Sequence, residues 1–338
     1  MEVRRGSPHL AFPMDEITRV GEARRHAALL MASIGFDTTT AGRVALIVTE
    51  LGTNLVKHAR QGKLLIASRS IGEIAEMEIV SMDAGPGIPN LDRAMADGYS
   101  TGGTSGTGLG AVRRLACDFD AYSDLVAGTV IVARVRPQGA SAPGDFLCAA
   151  MGLAAPGELA CGDGWAIAVD GKRAAVLLAD GLGHGPQASE AAQAAVALFA
   201  RQPFADLKRQ VEDAHVALRM TRGAALSVVQ LDRDEATIRS AGAGNVLIRM
   251  VSGTQNRSLM AQHGTVGVQI KRVEELQNSW PEHAMVVLHT DGVISRWPAE
   301  ALTPLLNHDP GLAAAVLLRD YVRGKDDATV VVLRRRNP

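Results

Sequence analysis

This sequence has few aromatic residues, few cysteines and almost no net charge. Phe, Trp and Tyr together make up 4% of the 338 residues, whereas hydrophobic residues make up 47%. The cores must therefore consist mainly of Leu, Val, Ile and Ala, and the length suggests about two domains of ordinary size. The formal charge of -1 gives no electrostatic reason to expect nucleic acid or an anionic membrane as a partner.

Cysteine and long apolar runs are equally scarce. The three cysteines, Cys117, Cys148 and Cys161, lack metal-ligand spacing, and their odd, sparse count favours reduced packing residues in a cytosol. No stretch approaches the roughly 20 apolar residues that a membrane span requires. The N-terminus also lacks the apolar core of a signal peptide. We therefore predict a cytoplasmic protein without membrane attachment.

A segment of small and turn-forming residues separates two halves of the chain. Between Arg136 and Asp145 the sequence reads Pro-Gln-Gly-Ala-Ser-Ala-Pro-Gly, a composition typical of linkers. This pattern predicts a first domain over residues 1–136, a linker over 137–144 and a second domain over 145–338.

Short acidic segments recur through the second half of the chain. They adjoin apolar, β-branched runs at 174–179, 285–289 and 329–333, which are typical of buried strands, so their carboxylates should converge at strand ends. Carboxylate oxygens suit Mg²⁺ or Mn²⁺, and two such ions can share a carboxylate and activate water for attack on phosphorus. A simpler interpretation makes each Asp-Gly pair a turn. The segments are Gly162-Asp163, Asp180-Gly181-Leu182-Gly183-His184-Gly185, Thr290-Asp291-Gly292 and Lys325-Asp326-Asp327-Ala328-Thr329.

In their order, these segments resemble the SpoIIE-like and RsbX-like branch of the metal-dependent type 2C serine/threonine phosphatases, over roughly residues 144–338. Stretches at 222–228, 241–245 and 264–267 also match. The resemblance implies an α/β/β/α sandwich that binds two Mn²⁺ or Mg²⁺ ions and needs no phosphoenzyme. It further implies that Asp180 is the central catalytic, bridging ligand with the Gly181 carbonyl beside it, that Asp291 and Asp326 hold one metal, and that Asp163 is a ligand or hydrogen-bond acceptor near the other.

Three questions about this half stay open in the sequence. Asp327 faces solvent or lies behind the ligands, because adjacent residues of a strand point to opposite sides. His184 is either a general acid for the leaving alkoxide or a structural residue at a helix beginning near Pro186. No arginine can be assigned to the substrate phosphate.

The first half contains a helical pattern over residues 38–59. Val44, Val48, Leu51 and Leu55 form an apolar stripe, and Asp37 or one of the following threonines is the start signal. The opposite face presents polar residues at spacings of four, three and one, which is also typical of a solvated helix face. These residues are Glu50, Asn54, Lys57 and His58.

Two glycine-containing motifs follow. Asp83-Ala84-Gly85-Pro86-Gly87 comes after a predicted strand at 76–81, and Gly106-Thr107-Gly108-Leu109-Gly110 precedes a predicted helix. Glycines ahead of a helix allow backbone N–H groups to approach phosphates, and the helix dipole favours the negative charge. A glycine-rich stretch alone is also typical of linkers. The two motifs together predict a nucleotide site.

The order of these motifs resembles the histidine-kinase-like ATPase superfamily, and within it the RsbT-like anti-sigma-factor serine kinases, over residues 1–136. The resemblance implies an α/β sandwich, a mixed sheet covered on one face by helices, that binds ATP and Mg²⁺. It assigns Asn54 to Mg²⁺, Asp83 to the adenine amino group, and residues 92–106 to a lid. The other nucleotide neighbours implied are Lys57, His58, Gly85, Gly87, Gly106, Gly108 and Gly110.

Glu50 precedes Asn54 by one helical turn, which places it near the γ-phosphate, where it could orient or deprotonate a substrate hydroxyl. We therefore expect Glu50 to be the kinase base. Only some 35 residues precede the helix at Thr38, so a phosphoacceptor helix pair is not expected and a sensor histidine kinase is disfavoured.

Together the two resemblances imply an α/β (α+β) chain that both phosphorylates and dephosphorylates serine or threonine. They imply that its substrates are STAS-domain proteins of a partner-switching or stressosome pathway. The alternative is an ATP-binding module that sequesters a partner without phosphorylating it, fused to an active phosphatase. The sequence leaves the substrate, the native metal and the oligomeric state open.

Overall fold

The computed structural model describes residues 1–96, 108–140 and 144–336. The chain divides into two compact units. The first unit is His9–Ala142, and the second unit combines Met1–Pro8 with Pro143–Pro338.

The strands are numbered in chain order. Their bounds are β1 Glu2–Gly6, β2 Leu10–Pro13, β3 Lys63–Ile71, β4 Ile74–Met82, β5 Asp118–Asp124, β6 Gly128–Val135, β7 Phe146–Leu153, β8 Asp163–Asp170, β9 Arg173–Gly181, β10 Ala224–Asp232, β11 Thr237–Ala243, β12 Leu247–Val251, β13 Asn256–Leu259, β14 Gly264–Thr265, β15 Gln269–Ile270, β16 Leu276–Ser279, β17 Met285–His289 and β18 Ala328–Arg335.

The helices are numbered in the same way. Their bounds are α1 Ile17–Ser33, α2 Thr38–His58, α3 Leu91–Ala94, α4 Gly108–Leu115, α5 Pro186–Arg201, α6 Leu207–Ala217 and α7 Pro310–Tyr321, with short 3-10 helices at Leu218–Met220, Ala299–Ala301 and Thr303–Leu305.

The first unit is a sheet covered on one face by helices. Its strands lie in the order β2-β3-β4-β6-β5, and each described pairing is antiparallel, so the expected mixed sheet is not found. Strand alternation explains the two faces. Met77 and Ile79 of β4 join the core beneath α1 and α2, whereas Glu76 and Glu78 lie on the other face, buried within ion pairs.

The second unit has four layers. One antiparallel sheet contains β1 and β8 to β11 with β16, and the other contains β7, β12, β13, β17 and β18. Alternation in β8 sends Trp165 and Ile167 into the core between the sheets and Ala166 and Ala168 toward α5 and α6. Helix α7 packs on β7 and β18. The expected α/β/β/α sandwich is therefore confirmed.

The first eight residues differ from their sequence-based assignment to the first domain. Strand β1 pairs antiparallel with β8, with Val3 opposite Ala168, and it therefore belongs to the second unit. Sequence position suggested otherwise because strand pairing joins residues that are far apart along the chain. The linker and the outer boundaries of the predicted domains stay predictions.

Helix starts follow local capping. Asp37 caps α2, since its Oδ1 accepts from the Thr40 backbone N–H at 2.8 Å. Asp206 caps α6 through the Arg209 N–H at 3.0 Å, so this helix begins at Leu207.

All three cysteines are free, and Cys148 and Cys161 are buried as expected of packing residues, whereas Cys117 is exposed. Within the described part of the chain, no helix is both long and apolar enough to span a membrane.

Candidate functional site

Helix α2 brings the polar residues of the first unit to the start of α4. A Cβ added at Gly108 would lie 3.6 Å from both Glu50 Oε2 and Asn54 Nδ2. Both side chains are half-buried, and they lie one turn apart on α2. Glu50 and Asn54 therefore lie close to the N-terminal end of α4, and their role at the phosphate end of a nucleotide stays a prediction.

The loop after β4 contacts the end of α2. The Ala84 N–H donates to the Arg60 carbonyl at 3.0 Å, and the Asp83 N–H donates to the Thr129 carbonyl at 3.0 Å. Within the loop, the Gly85 N–H donates to Asp83 Oδ1 at 2.7 Å. The half-buried Asp83 is thus held where α2 ends.

Gly87 is required by close backbone approach. Its φ is 68°, and a Cβ there would lie 2.3 Å from the Asp124 carbonyl oxygen. The Ile88 N–H next to it donates to Ser123 Oγ at 2.6 Å. Gly87, the second glycine of the motif that begins at Asp83, therefore allows this loop to pack against the β5–β6 turn.

The remaining nucleotide neighbours are placed less tightly. Lys57 and His58 lie exposed in the last turn of α2, and Gly110 is buried in α4. Gly106 and much of the predicted lid lie outside the described residues.

In the second unit, the predicted metal ligands meet at the end of the first sheet. Asp163 on β8 lies directly opposite Asp180 on β9, so their side chains share one face of the sheet. Asp163 is 6% exposed, and its Oδ2 accepts from Thr290 Oγ1 at 2.8 Å. Its buried Oδ1 has no hydrogen-bond partner among the described residues. Asp163 is also one of the residues that line a cavity of about 120 Å³.

Asp291 approaches from the second sheet. Its Oδ2 accepts from Asn245 Nδ2 at 2.7 Å. Thr290, the preceding residue, links the two sheets of this unit, because its Oγ1 donates to Asp163 on β8 and accepts from the Thr329 N–H on β18 at 2.9 Å. Gly292 leaves room for the neighbouring segment, since a Cβ there would lie 1.9 Å from the Asp327 carbonyl oxygen.

Asp326 and Asp327 lie just ahead of β18 and have different environments. Asp327 is 3% exposed, and its Oδ1 accepts from the Ala155 N–H at 2.8 Å. The structure thus rejects the solvent-facing alternative for Asp327. Its Oδ2 is buried without a partner in the described chain, whereas Asp326 is half-buried and accepts from the Asp327 N–H.

Burial and mutual repulsion raise the pKa values of these carboxyl groups. For Asp180 the pKa rises to about 7, chiefly through burial and then through the charges of Asp291, Asp326 and Asp327. Burial followed by the Asp180 charge raises the pKa of Asp163 well above its usual range. The pKa of Asp291, a more exposed residue, is raised by partial burial and by Asp326, against the opposing charge of Arg323.

These observations fit a site for divalent cations. Two buried carboxylate oxygens lack partners, and the ionised cluster is costly without a compensating positive charge. In the described ranges, however, no three acidic, histidine or cysteine side chains already stand in a closed ligand arrangement. The chemistry of the donors therefore suits Mg²⁺ or Mn²⁺, and the carboxylates would have to draw together around it.

His184 lies outside this cluster. Its side chain is 59% exposed, and its Nδ1 lies 2.7 Å from Glu158 Oε1. The glycine carbonyl proposed as a ligand belongs to a tightly packed residue: a Cβ at Gly181 would lie 2.1 Å from the Ala188 carbonyl oxygen, so the start of α5 requires glycine there.

Sequence reasoning missed several residues that hold the site. Asn245 and Thr290 belong to stretches that matched the phosphatase pattern, so position in a motif was their only signal. Glu158 had no such signal.

The two units define a histidine kinase-like ATPase domain followed by a PP2C-type phosphatase fold. Residues 14–135 match the family described as histidine kinase-like ATPase domain, and residues 170–336 match the family described as stage II sporulation protein E (SpoIIE), a match that begins after Asp163. The chain belongs, through its first unit, to the RsbT family, fused to a SpoIIE-type domain.

Two relatives from Bacillus subtilis (strain 168) cover different parts of the chain. Serine/threonine-protein kinase RsbT is 33% identical over 111 residues, which are 33% of this chain and 84% of that protein. Phosphoserine phosphatase RsbX is 24% identical over 139 residues, which are 40% of this chain and 69% of that protein.

Solved structures resemble the phosphatase fold. One of them comes from a study of the bacterial stressosome as a modular system adapted to control secondary messenger signaling. It is 26% identical to this chain with a TM-score of 0.52, and the match covers 56% of this chain and 99% of the other. RsbX in complex with magnesium is 19% identical with a TM-score of 0.52, covering 58% and 98%. The PP2C phosphatase domain of Bacillus subtilis SpoIIE with a fragment of its regulatory domain is 17% identical with a TM-score of 0.50, covering 77% and 79%.

Proposed function

We propose that this chain is a bifunctional enzyme, a metal-dependent phosphoserine/phosphothreonine phosphatase and an ATP-dependent serine/threonine kinase, acting in the cytoplasm on STAS-domain regulators of a partner-switching or stressosome pathway. The observation that supports the phosphatase most directly is the Asp163–Asp180 pair, two carboxylates facing each other at a sheet end where burial, and then the charges of further aspartates, raise the Asp180 pKa to about 7. Uncompensated acidic clusters of this kind are typical of cation sites.

In this proposal Asp180 and Asp291 bind divalent ions together with Asp163, Asp326 and the Gly181 carbonyl. When bound, two Mn²⁺ or Mg²⁺ ions would supply Lewis acidity that lowers the pKa of water and offsets charge developing at phosphorus. The residues of the chain hold that arrangement. Thr290 fixes the Asp163 carboxylate at 2.8 Å, and Asn245 fixes that of Asp291 at 2.7 Å.

The kinase half is supported by the convergence of Glu50, Asn54 and Gly108. Glu50 would accept the proton of the substrate hydroxyl, Asn54 would bind the Mg²⁺ of MgATP through its amide oxygen, and the N–H groups at the start of α4 would bind phosphate oxygens. Asp83, held between Arg60 and Thr129, would accept from the adenine amino group. RsbT, a kinase by name, is 33% identical over this region, which favours transfer over binding alone.

Both activities are tested with the full chain, Mg²⁺-ATP and candidate STAS proteins, using mass spectrometry to count phosphates on the partner. Asp180→Asn should act as a kinase alone and drive one partner to full phosphorylation, whereas Glu50→Ala should act only as a phosphatase. Asp213→Asn, a change at an exposed aspartate of α6, is the matched control and should behave as wild type.

The alternative of an ATP-binding, partner-sequestering module makes a different prediction in the same experiment. If Asp180→Asn binds ATP and a STAS protein but phosphorylates none of the partners, the kinase assignment is wrong. The first unit is then an ATP-binding module that sequesters a partner.

A further inference from the structure

The proposed metal site leaves a charge problem at the substrate. Five aspartates, when ionised, carry a formal charge of -5, and two divalent cations would reduce it only to -1. A phosphomonoester dianion entering such a site would still meet net negative charge, so its binding requires cations from the protein. On the basis of the proposed phosphatase function, we propose that two arginines bind the phosphate of the substrate. They are Arg222, beside the loop that follows Asp180, and Arg323, beside the turn that carries Asp291.

Arg222 reaches the loop that follows Asp180. Strand β10 pairs with β9 so that Ala225 lies opposite Asp180, and Arg222 lies two residues ahead of this paired segment, which begins at Ala224. Its Nη1 lies 3.1 Å from the position of a Cβ at Gly183, and among the described residues other than Gly183 and its two chain neighbours no other atom lies within 4 Å of that position. The guanidinium therefore lies over an otherwise open turn, three residues beyond the central aspartate.

The backbone around Arg222 is fixed. The Gly223 N–H donates to Thr221 Oγ1 at 3.0 Å, and the Gly223 carbonyl accepts from the Leu182 N–H at 3.0 Å. The second bond ties the Arg222 turn to the Asp180 loop itself. The cation is thus held at the site by main-chain geometry while its side chain stays exposed.

Arg323 flanks the cluster from the second sheet. Its N–H donates to the Gly292 carbonyl at 2.8 Å, which fixes its backbone beside the turn that carries Asp291. Arg323 is exposed as well.

Neither guanidinium has a hydrogen-bond or ion-pair partner within the described ranges. Two other exposed arginines of this unit are paired with aspartates, Arg173 with Asp170 at 3.2 Å and Arg209 with Asp213 at 3.5 Å. A planar guanidinium with unused donors suits the bidentate binding of phosphate oxygens, which lysine cannot reproduce. Two such groups would supply +2 and reverse the net charge that the substrate meets.

The test uses the full chain loaded with Mn²⁺, in three independent measurements. These are hydrolysis of p-nitrophenyl phosphate, calorimetric binding of inorganic phosphate, and calorimetric binding of Mn²⁺. The variants are Arg222→Ala, Arg222→Lys, Arg323→Ala and Arg323→Lys. Arg201→Ala is the control, because this exposed arginine ends α5, about 22 Å along the helix axis from the end near the site.

We expect each alanine variant to raise KM and to weaken phosphate binding about 10-fold, because charge-assisted bonds to phosphate are stronger than neutral ones. The kcat should change less than KM, Mn²⁺ affinity should stay unchanged, and lysine should recover part of the loss. Circular dichroism identifies any variant that fails to fold. If an alanine variant does not fold, the phosphate affinity of the lysine variant at the same position tests the assignment.

Unchanged phosphate affinity in an alanine variant would overturn the assignment of that arginine, and a parallel loss of Mn²⁺ binding would overturn both by showing an effect on the metal site. If the wild-type chain hydrolyses no phosphomonoester but binds phosphate in an arginine-dependent way, the proposed function fails while this inference stands. Wild-type protein that binds no phosphate would overturn the inference.

Discussion

Asp163 and Asp180 are direct cross-strand partners on β8 and β9, so two carboxylates share one face of the sheet. Like charges in such positions are destabilising, and here Asp163 is buried and Asp180 half-buried. The pairing therefore costs stability in the protein without metal and favours cation binding. The proposed metal site can therefore be tested by measuring protein stability as well as activity.

We first predict that Asp180→Asn nearly abolishes phosphatase turnover but does not lower the melting temperature of metal-free protein, and raises it above pH 7. The amide removes the buried, repelled charge and keeps the shape of the side chain. Scanning calorimetry with a chelator, beside p-nitrophenyl phosphate assays with Mn²⁺, measures both effects. A melting temperature that falls by as much as an ordinary core substitution would contradict this account, and Asp213→Asn is the control.

A second prediction concerns pH. The folded pKa of Asp180, about 7, is above its usual value near 4, so the folded state binds the proton more tightly than the unfolded state. Metal-free protein should therefore lose stability as pH rises from about 4 to about 7, with the loss complete above that range. Added Mn²⁺ should offset the loss and release protons on binding, which calorimetry in buffers of different ionisation enthalpy detects. Metal binding without proton release at pH 6 would contradict the prediction.

Third, Asp83→Asn in the full chain should weaken ATP binding about 10-fold, because a hydrogen bond to a charged group contributes about 1.5 to 3 kcal/mol. Asp15→Asn, a change at an exposed aspartate ahead of α1, is the control and should bind ATP normally. Titration calorimetry with Mg²⁺-ATP makes the comparison. Wild-type protein that binds no ATP would refute the nucleotide site itself.

Fourth, Glu78→Ala should destabilise the first unit by about 3 kcal/mol, because removing one partner of a buried charge pair leaves the other uncompensated. Glu78 is fully buried, accepts from Arg134 Nε at 2.8 Å and also pairs with Arg69 and His9. Urea unfolding followed by circular dichroism measures the loss. Glu73→Ala, at an exposed position ahead of the same strand, should change stability by less than about 0.5 kcal/mol.

Much of this organisation could be predicted from the sequence, because its signals are local. The helix from Thr38 ends within a residue of the prediction, and its Asp37 cap depends on a contact three residues along the chain. The strand at Met285–His289 was predicted from an unbroken apolar run. Acidic segments at strand ends indicated a carboxylate cluster for the same reason.

Contacts between distant segments could not be predicted. The pairing of residues 2–6 with β8, the Thr290–Asp163 bond and the burial of Asp327 against Ala155 each join parts of the chain more than 100 residues apart. No local pattern specifies such a contact. Sequence alone thus determined which residue types and elements the protein has, whereas tertiary packing decided which carboxylates are buried together and which arginines stand unpaired beside them, because burial and charge interaction depend on distance in space.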